Sequence, residues 1–375
     1  MKSTQRTVRS ALAIRLALVA SALFVACKPP ATPGAKSTAA PVPESGPVPA
    51  FSLAWSEYPS WSVFGVAAQL KLIDGARGKL GSLERKWGVD IELKEAEYDP
   101  CLQMYGSGNC DAVCATTLDA LSPALSRPST IILPTSTSAG ADALIVSEAI
   151  RSVADLKGRK VFGLAKSVSE YCFIRNLQVR GLPERDFTFS NMDPGAAAVA
   201  LQQKQPGVDA IVVWNPFVQE TLNKRKDVRV LFDSTSLPGE IIDCVTVAQS
   251  SLAKPGGAAF AHAVIEAFYA VNRRLADPAL RDDTLIAIGE KFSHLDLPAM
   301  RQVVEQTRFY GTPAAGLEIL TGAATRATQE QVVRFCVDQE LVKTVPRIGF
   351  GAASETPGVE LRFDPTYIQV VANQH

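Results

Sequence analysis

The sequence predicts an α/β protein. Short apolar runs of strand length alternate with helix-periodic stretches from residue 51 to about residue 248, and Gly, Pro, Asn and Asp separate them. The chain has 375 residues and is 47% hydrophobic, enough for one large core or two of ordinary size. Strands that alternate with helices argue for parallel sheets.

The elements follow in order. Residues 52–56 predict a first strand, and 61–86 predict one or two helices with a break at a glycine. Strands are expected at 90–96 and 112–116, then short apolar runs at 130–134 and 143–146. A strand at 160–164 leads into a helix over 168–179. Strands at 186–190 and 210–214 flank a helical segment around 196–203, and strands at 228–232 and 244–248 close the series. From 257 to about 342 the periodicity is almost wholly helical.

Charge and composition exclude several functions. Lys plus Arg and Asp plus Glu each number 38, so the net charge is zero and nothing marks a nucleic-acid surface. The three histidines, His262, His294 and His375, are far apart, and no HExxH pair occurs, so no metal or cofactor is expected. No GxSxG and no Ser, His and Asp set stands out, which argues against a hydrolase.

The N-terminus reads as an export signal. Lys2, Arg6 and Arg9 precede a 16-residue apolar run, 11–26, broken only by Arg15 and Ser21. That is short of the ~20 residues that span a bilayer, and it fits a signal peptide over 1–26. Its end, Leu23-Phe24-Val25-Ala26-Cys27, resembles a bacterial lipoprotein box. The resemblance implies cleavage before Cys27 and lipidation of that residue. Residues 28–50 are rich in Pro, Ala, Ser, Gly and Thr and cannot bury enough surface to fold. Such a tether would reach roughly 70 Å if extended, so residues 27–50 are read as a lipidated cysteine and its leash.

Several stretches together resemble a known family. They are Trp55-Ser56-Glu57-Tyr58-Pro59-Ser60-Trp61, the run Asp111 through Leu121, Ser167-Val168-Ser169-Glu170-Tyr171 and Val213-Trp214-Asn215-Pro216. Pro238-Gly239-Glu240-Ile241-Ile242-Asp243, Phe309-Tyr310-Gly311-Thr312-Pro313 and Leu361-Arg362-Phe363-Asp364 complete the set. In this order they are similar to solute-binding proteins of ABC transporters of the nitrate, sulfonate and taurine type. Within that group they most resemble proteins associated with urea or guanidine carboxylation. The resemblance implies a two-lobe type II periplasmic-binding-protein fold with two crossing hinge segments. Lobe one would be 51–137 plus 247–375, and lobe two 138–246. It also implies a monomer, exported and lipid-anchored to a bacterial membrane, that delivers ligand to a permease and ATPase complex. The enzyme alternative, a thiamine-pyrimidine synthase-like relative, fits poorly with the export signal and the scarcity of histidine. A periplasmic sensor of the same fold is the remaining alternative.

The candidate ligand residues lie just past predicted strands, where α/β clefts form. Trp55, Tyr58 and Trp61 offer ring faces to a planar or cationic ligand. Thr116, Thr117 and Asp119 follow the strand at 112–116. Ser167, Ser169 and Tyr171 open the next helix, where capping is the alternative role. Trp214 and Asn215 end a further strand, and Glu240 and Asp243 follow a Pro-Gly turn. Apart from Arg362 in the last stretch, the matched motifs hold carboxylates and no Arg or Lys. An anion site wants basic groups, and an unpaired buried carboxylate is costly. The expected ligand is therefore cationic or urea-like, such as guanidinium or urea, with a sulfonate- or nitrate-type anion or a thiamine-pyrimidine precursor as alternatives.

Seven cysteines occur, six of them after Cys27. Six thiols allow 15 pairings. Cys101 and Cys110 bracket a glycine-containing segment and are the expected disulfide, while Cys114, Cys172 and Cys244 are expected to be buried thiols.

Overall fold

The computed structural model describes residues 47–291 and 295–374. The signal peptide, Cys27, the tether up to residue 46, His294 and His375 lie outside the described residues. In chain order the strands are β1 (Ala50–Trp55), β2 (Asp90–Glu95), β3 (Ala112–Thr116), β4 (Ser129–Ser138), β5 (Asp142–Ser147), β6 (Lys160–Gly163) and β7 (Thr188–Asn191). They continue with β8 (Ala210–Trp214), β9 (Val228–Asp233), β10 (Ile242–Ala248), β11 (Thr307–Phe309), β12 (Ile348–Phe350) and β13 (Leu361–Phe363).

These strands build two sheets. The first has the order β12-β13-β4-β10-β3-β1-β2, with β11 added on β4, and the second has the order β7-β6-β8-β5-β9. Strands β3, β5, β8 and β10 are buried along their whole length. That is the environment their continuous apolar sequences require, because helices cover both faces. The expectation of parallel sheets is met by β1 with β2 and β3, and by β6 with β7 and β8. It is corrected at the sheet centres. β10 runs antiparallel to β3 and β4, and β5 antiparallel to β8 and β9. Both strands follow a connection from the other sheet and enter their own sheet at the end where their neighbours finish. Asp243 stands opposite Thr116, the last residue of β3, and Asp142 opposite Trp214, the last of β8.

The chain passes between sheets at 139–141 and 234–241. The sequence reading placed residues 242–246 in lobe two, but the second passage precedes β10, so they belong to the first sheet. Their pairing with strands on both sides explains this.

Other differences are local. The expected helical stretch 61–86 is two helices, Ser62–Gln69 and Ser82–Trp87. The loop between them turns through Gly75 and Gly78 at φ of +81° and +82°, where a side chain is disfavoured. Glu84 closes that loop. Its buried carboxylate accepts the amides of Asp74 (2.6 Å), Gly81 (2.5 Å) and Ile91 (2.6 Å). The helix Tyr98–Gly106 and the three-residue strands β11, β12 and β13 carry too short a pattern to be read from sequence. No described helix is long and apolar enough to cross a membrane.

Cys101, Cys110, Cys114, Cys172, Cys244 and Cys336 are all buried free thiols. The expected Cys101–Cys110 disulfide is corrected. Cys101 points into the core, where its thiol donates to the Ala96 carbonyl at 3.5 Å. Burial pushes Cys101 up to about 12 and Cys110 up to about 11, which leaves both thiols protonated and unreactive.

Candidate functional site

The ends of β1, β3 and β8 and the starts of β5 and β10 meet around a narrow cavity. After β1 the chain turns at Tyr58, whose carbonyl accepts the amides of Trp61 (3.0 Å) and Ser62 (2.8 Å). This turn presents the Tyr58 and Trp61 rings, 4.7 Å apart. Trp61 stacks on Tyr98 at 5.4 Å, and Tyr98 meets Trp214 edge-on at 5.5 Å. The four rings line the cavity as a continuous belt. Thr116 and Val168 add small contacts.

Two carboxylates complete the wall, Asp142 and Asp243, only 3% and 1% exposed. Ser136 donates to Asp243 at 2.5 Å and lies within 2.8 Å of Ser60. Ser138 is the hydroxyl that hydrogen-bonds Asp142. No lysine, arginine or histidine lines the cavity. Burial, reinforced by the charge of Asp119, pushes Asp142 up to about 7. Burial first, and then Asp142 and Asp119, push Asp243 well above the carboxylate range. The Trp61 Nε1–H is buried without a hydrogen-bond partner, while the Tyr58 hydroxyl faces the Asp243 carboxylate. Buried donors in native proteins are normally satisfied, so the indole N–H is open to a ligand.

Of the residues singled out from sequence, the structure brings Tyr58, Trp61, Thr116, Trp214 and Asp243 to the cavity. The others have different surroundings. Asp119 stands behind the wall, where it accepts from the Tyr98 hydroxyl (2.7 Å) and the Thr116 hydroxyl (2.9 Å). Burial raises its pKa to about 6. It orients Tyr98 and faces a neighbouring open groove that Lys166 also lines. Trp55 packs in the core, with its ring against Gly65. Thr117 ties its amide to the Ile242 carbonyl at 2.8 Å. Ser167 caps the helix Val168–Gln178 by accepting the Ser169 amide at 3.2 Å. The Ser169 hydroxyl is buried and unpartnered.

Tyr171 and Glu240 belong to a separate ion-pair cluster. Arg175 donates to Glu240 at 3.0 and 2.9 Å and the Tyr171 hydroxyl at 2.7 Å, so this carboxylate is already matched. Asn215 donates to Gln306 at 2.8 Å, away from the cavity. Two lining residues were absent from the sequence reading, Tyr98 and Asp142. Tyr98 opens a short helix that carries little periodicity. Asp142 follows Gly140 and Ala141 and looks like an ordinary turn residue. Among the described residues, no group of three or more His, Cys, Asp or Glu is arranged to hold a metal ion.

No family model matches the chain. A 99-residue stretch is 37% identical to the putative aliphatic sulfonates-binding protein of Escherichia coli (strain K12), which is 26% of this chain. The match spans only 30% of that relative's length. Among solved structures, the periplasmic aliphatic sulphonate binding protein SsuA from Escherichia coli superposes with a TM-score of 0.62 at 22% identity. That superposition covers 80% of this chain and 90% of that one. The alkanesulfonate-binding protein SsuA from Xanthomonas axonopodis pv. citri, bound to MOPS, gives 0.62 at 19% identity, over 81% and 96% of the two chains. This chain has the periplasmic-binding-protein fold. In the periplasmic-binding-protein fold of this chain, the first sheet supplies Tyr58, Trp61, Tyr98, Thr116 and Asp243, and the second supplies Asp142 and Trp214. The relatives named above speak of sulfonates. They lend no support to the expected kinship with urea- or guanidine-carboxylation systems, nor to a cationic ligand.

Proposed function

We propose that this chain is the extracytoplasmic solute-binding component of an ABC-type import system, and not an enzyme. It would hold a small molecule in the cavity between its sheets and hand it to a permease and ATPase complex. The superposition on binding proteins, over 80% and 81% of this chain, supports the class.

For the ligand, we favour a small cation or a urea-like molecule. The observation that carries this is the pair Asp142 and Asp243, buried beside four aromatic rings with no basic side chain in the wall. Carboxylates and ring faces both attract a cation, and ring faces contribute about 0.5–2 kcal/mol. A sulfonate-type anion is the second reading, and the comparisons back it better than they back a cation. The unpartnered Trp61 donor would serve such an anion. A thermal-shift and calorimetric screen with guanidinium, urea, methylammonium, taurine and methanesulfonate decides between them. A ligand at 100 times its dissociation constant adds ~2.7 kcal/mol of stability. Guanidinium or methylammonium is expected to raise the melting temperature. Tight binding of methanesulfonate without any cation response would establish the anion reading instead.

We also propose that Cys27 is lipidated, from the box and tether around it. Cys27→Ser is expected to move the protein from the membrane fraction to the soluble exported fraction. Membrane retention of that variant, with no lipid on wild type by mass spectrometry, would overturn the anchor.

A further inference from the structure

We propose that Asp142 and Asp243 act as a proton-for-cation exchange pair, both protonated while the cavity is empty and giving up one proton between them when a cationic ligand fills it. The inference rests on the cation reading above and deepens it. In the exchange the carboxyl O–H bond breaks, the electron pair stays on the carboxylate, and the proton leaves to solvent as the cation takes its place. Charge inside the cavity is conserved, so the low-dielectric site never holds an uncompensated carboxylate.

Two other buried acids of this protein are matched by N–H donors. Glu84 has three backbone amides, and Glu266 has Lys86 at 2.7 Å and the Trp87 Nε1–H at 2.7 Å. Asp142 and Asp243 have hydroxyl neighbours and each other. The titratable groups acting on them from the surrounding elements are Asp119, Tyr58, Tyr310, Cys114, Cys172 and Cys244. Each of these is acidic or neutral, and none supplies a positive charge. Burial and mutual repulsion therefore hold the pair protonated near neutral pH. A second observation points to an occupant. Trp61 is 3% exposed, lines the same cavity, and holds an indole N–H that has no hydrogen-bond partner, where burial normally demands one.

The test reads the carboxyl proton directly. Infrared spectra of the ligand-free protein at pH 6 are expected to show a protonated-carboxyl C=O band that Asp142→Asn and Asp243→Asn each reduce. Guanidinium or methylammonium is expected to reduce that band by about half and to release about one proton per bound cation into a weakly buffered solution. Cation affinity should then rise about tenfold per pH unit from pH 5 to 7 and level above. Tight guanidinium binding without the band, or without proton release, would overturn the exchange and leave the cation reading standing. A band that no cation discharges, with methanesulfonate bound and protons taken up, would overturn both.

Discussion

Asp142→Asn is expected to weaken binding of guanidinium or a small ammonium ion by about 100-fold, the larger end of one charge-assisted hydrogen bond. The substitution is nearly isosteric, so the cavity keeps its shape and loses only charge. Urea, which uses acceptors but gains little from charge, should lose less. The same variant carries a stability signature of opposite sign. Asp142 has a folded pKa raised to about 7 from an ordinary 3.8, because burial disfavours its charge. A raised carboxyl stabilises the fold fully below the unfolded pKa, and that contribution is lost as pH rises towards 7. The ligand-free wild type should therefore melt lower at pH 8 than at pH 5, by an amount on the order of a few kcal/mol. Asn has no such charge, so the variant should flatten this dependence. Calorimetric titration with thermal melts at both pH values measures the two effects together. Unchanged guanidinium affinity, or a variant as pH-sensitive as wild type, would remove Asp142 from the site.

Glu84→Ala is expected to destabilise the protein by ~3–5 kcal/mol. The carboxylate is fully buried, and its removal strands the amides of Asp74, Gly81 and Ile91. Each unsatisfied buried donor costs about 1–3 kcal/mol, and water filling the void recovers part of this. Glu84→Gln keeps one acceptor oxygen and should lose roughly half as much. Urea unfolding of both variants provides the comparison. A shift below about 1 kcal/mol for Glu84→Ala would mean that the loop 70–81 holds its shape by other means.

Much of the architecture was legible because buried strands announce themselves. The runs 112–116 and 210–214 are uninterrupted and apolar, and both are strands with those bounds. Turn aromatics next to strand ends were legible too, since Tyr58, Trp61 and Trp214 line the cavity. What sequence could not convey was pairing. Glu240 and Asp243 look alike in a linear chain, three residues apart. Only the fold brings Arg175 to Glu240 and leaves Asp243 with a serine hydroxyl. Asp119 was read as a ligand contact for its charge, whereas Tyr98 stands in front of it. Asp142 was passed over because its importance comes from register. It starts β5 opposite Trp214 just as Asp243 starts β10 opposite Thr116. A local motif carries no trace of that correspondence. The expected ligand charge was drawn from Asp119, Glu170, Glu240 and Asp243, and of these only Asp243 lines the cavity.

The two antiparallel strands that follow the crossings have a mechanical consequence. Asp142 travels with the second sheet and Asp243 with the first, each within a few residues of a passage between them. Any hinge motion at 139–141 and 234–241 must pull these carboxylates apart and admit water between them. Hydrated and separated, they ionise without penalty and lose their joint grip on a cation. Closing the empty protein would have to return protons from solvent to both carboxyls. Movement at the crossings would thus be coupled to proton uptake and release. A transporter that pries the two halves apart would release its cargo by that motion, and the emptied protein would close again only as its carboxyls regained protons or new cargo arrived.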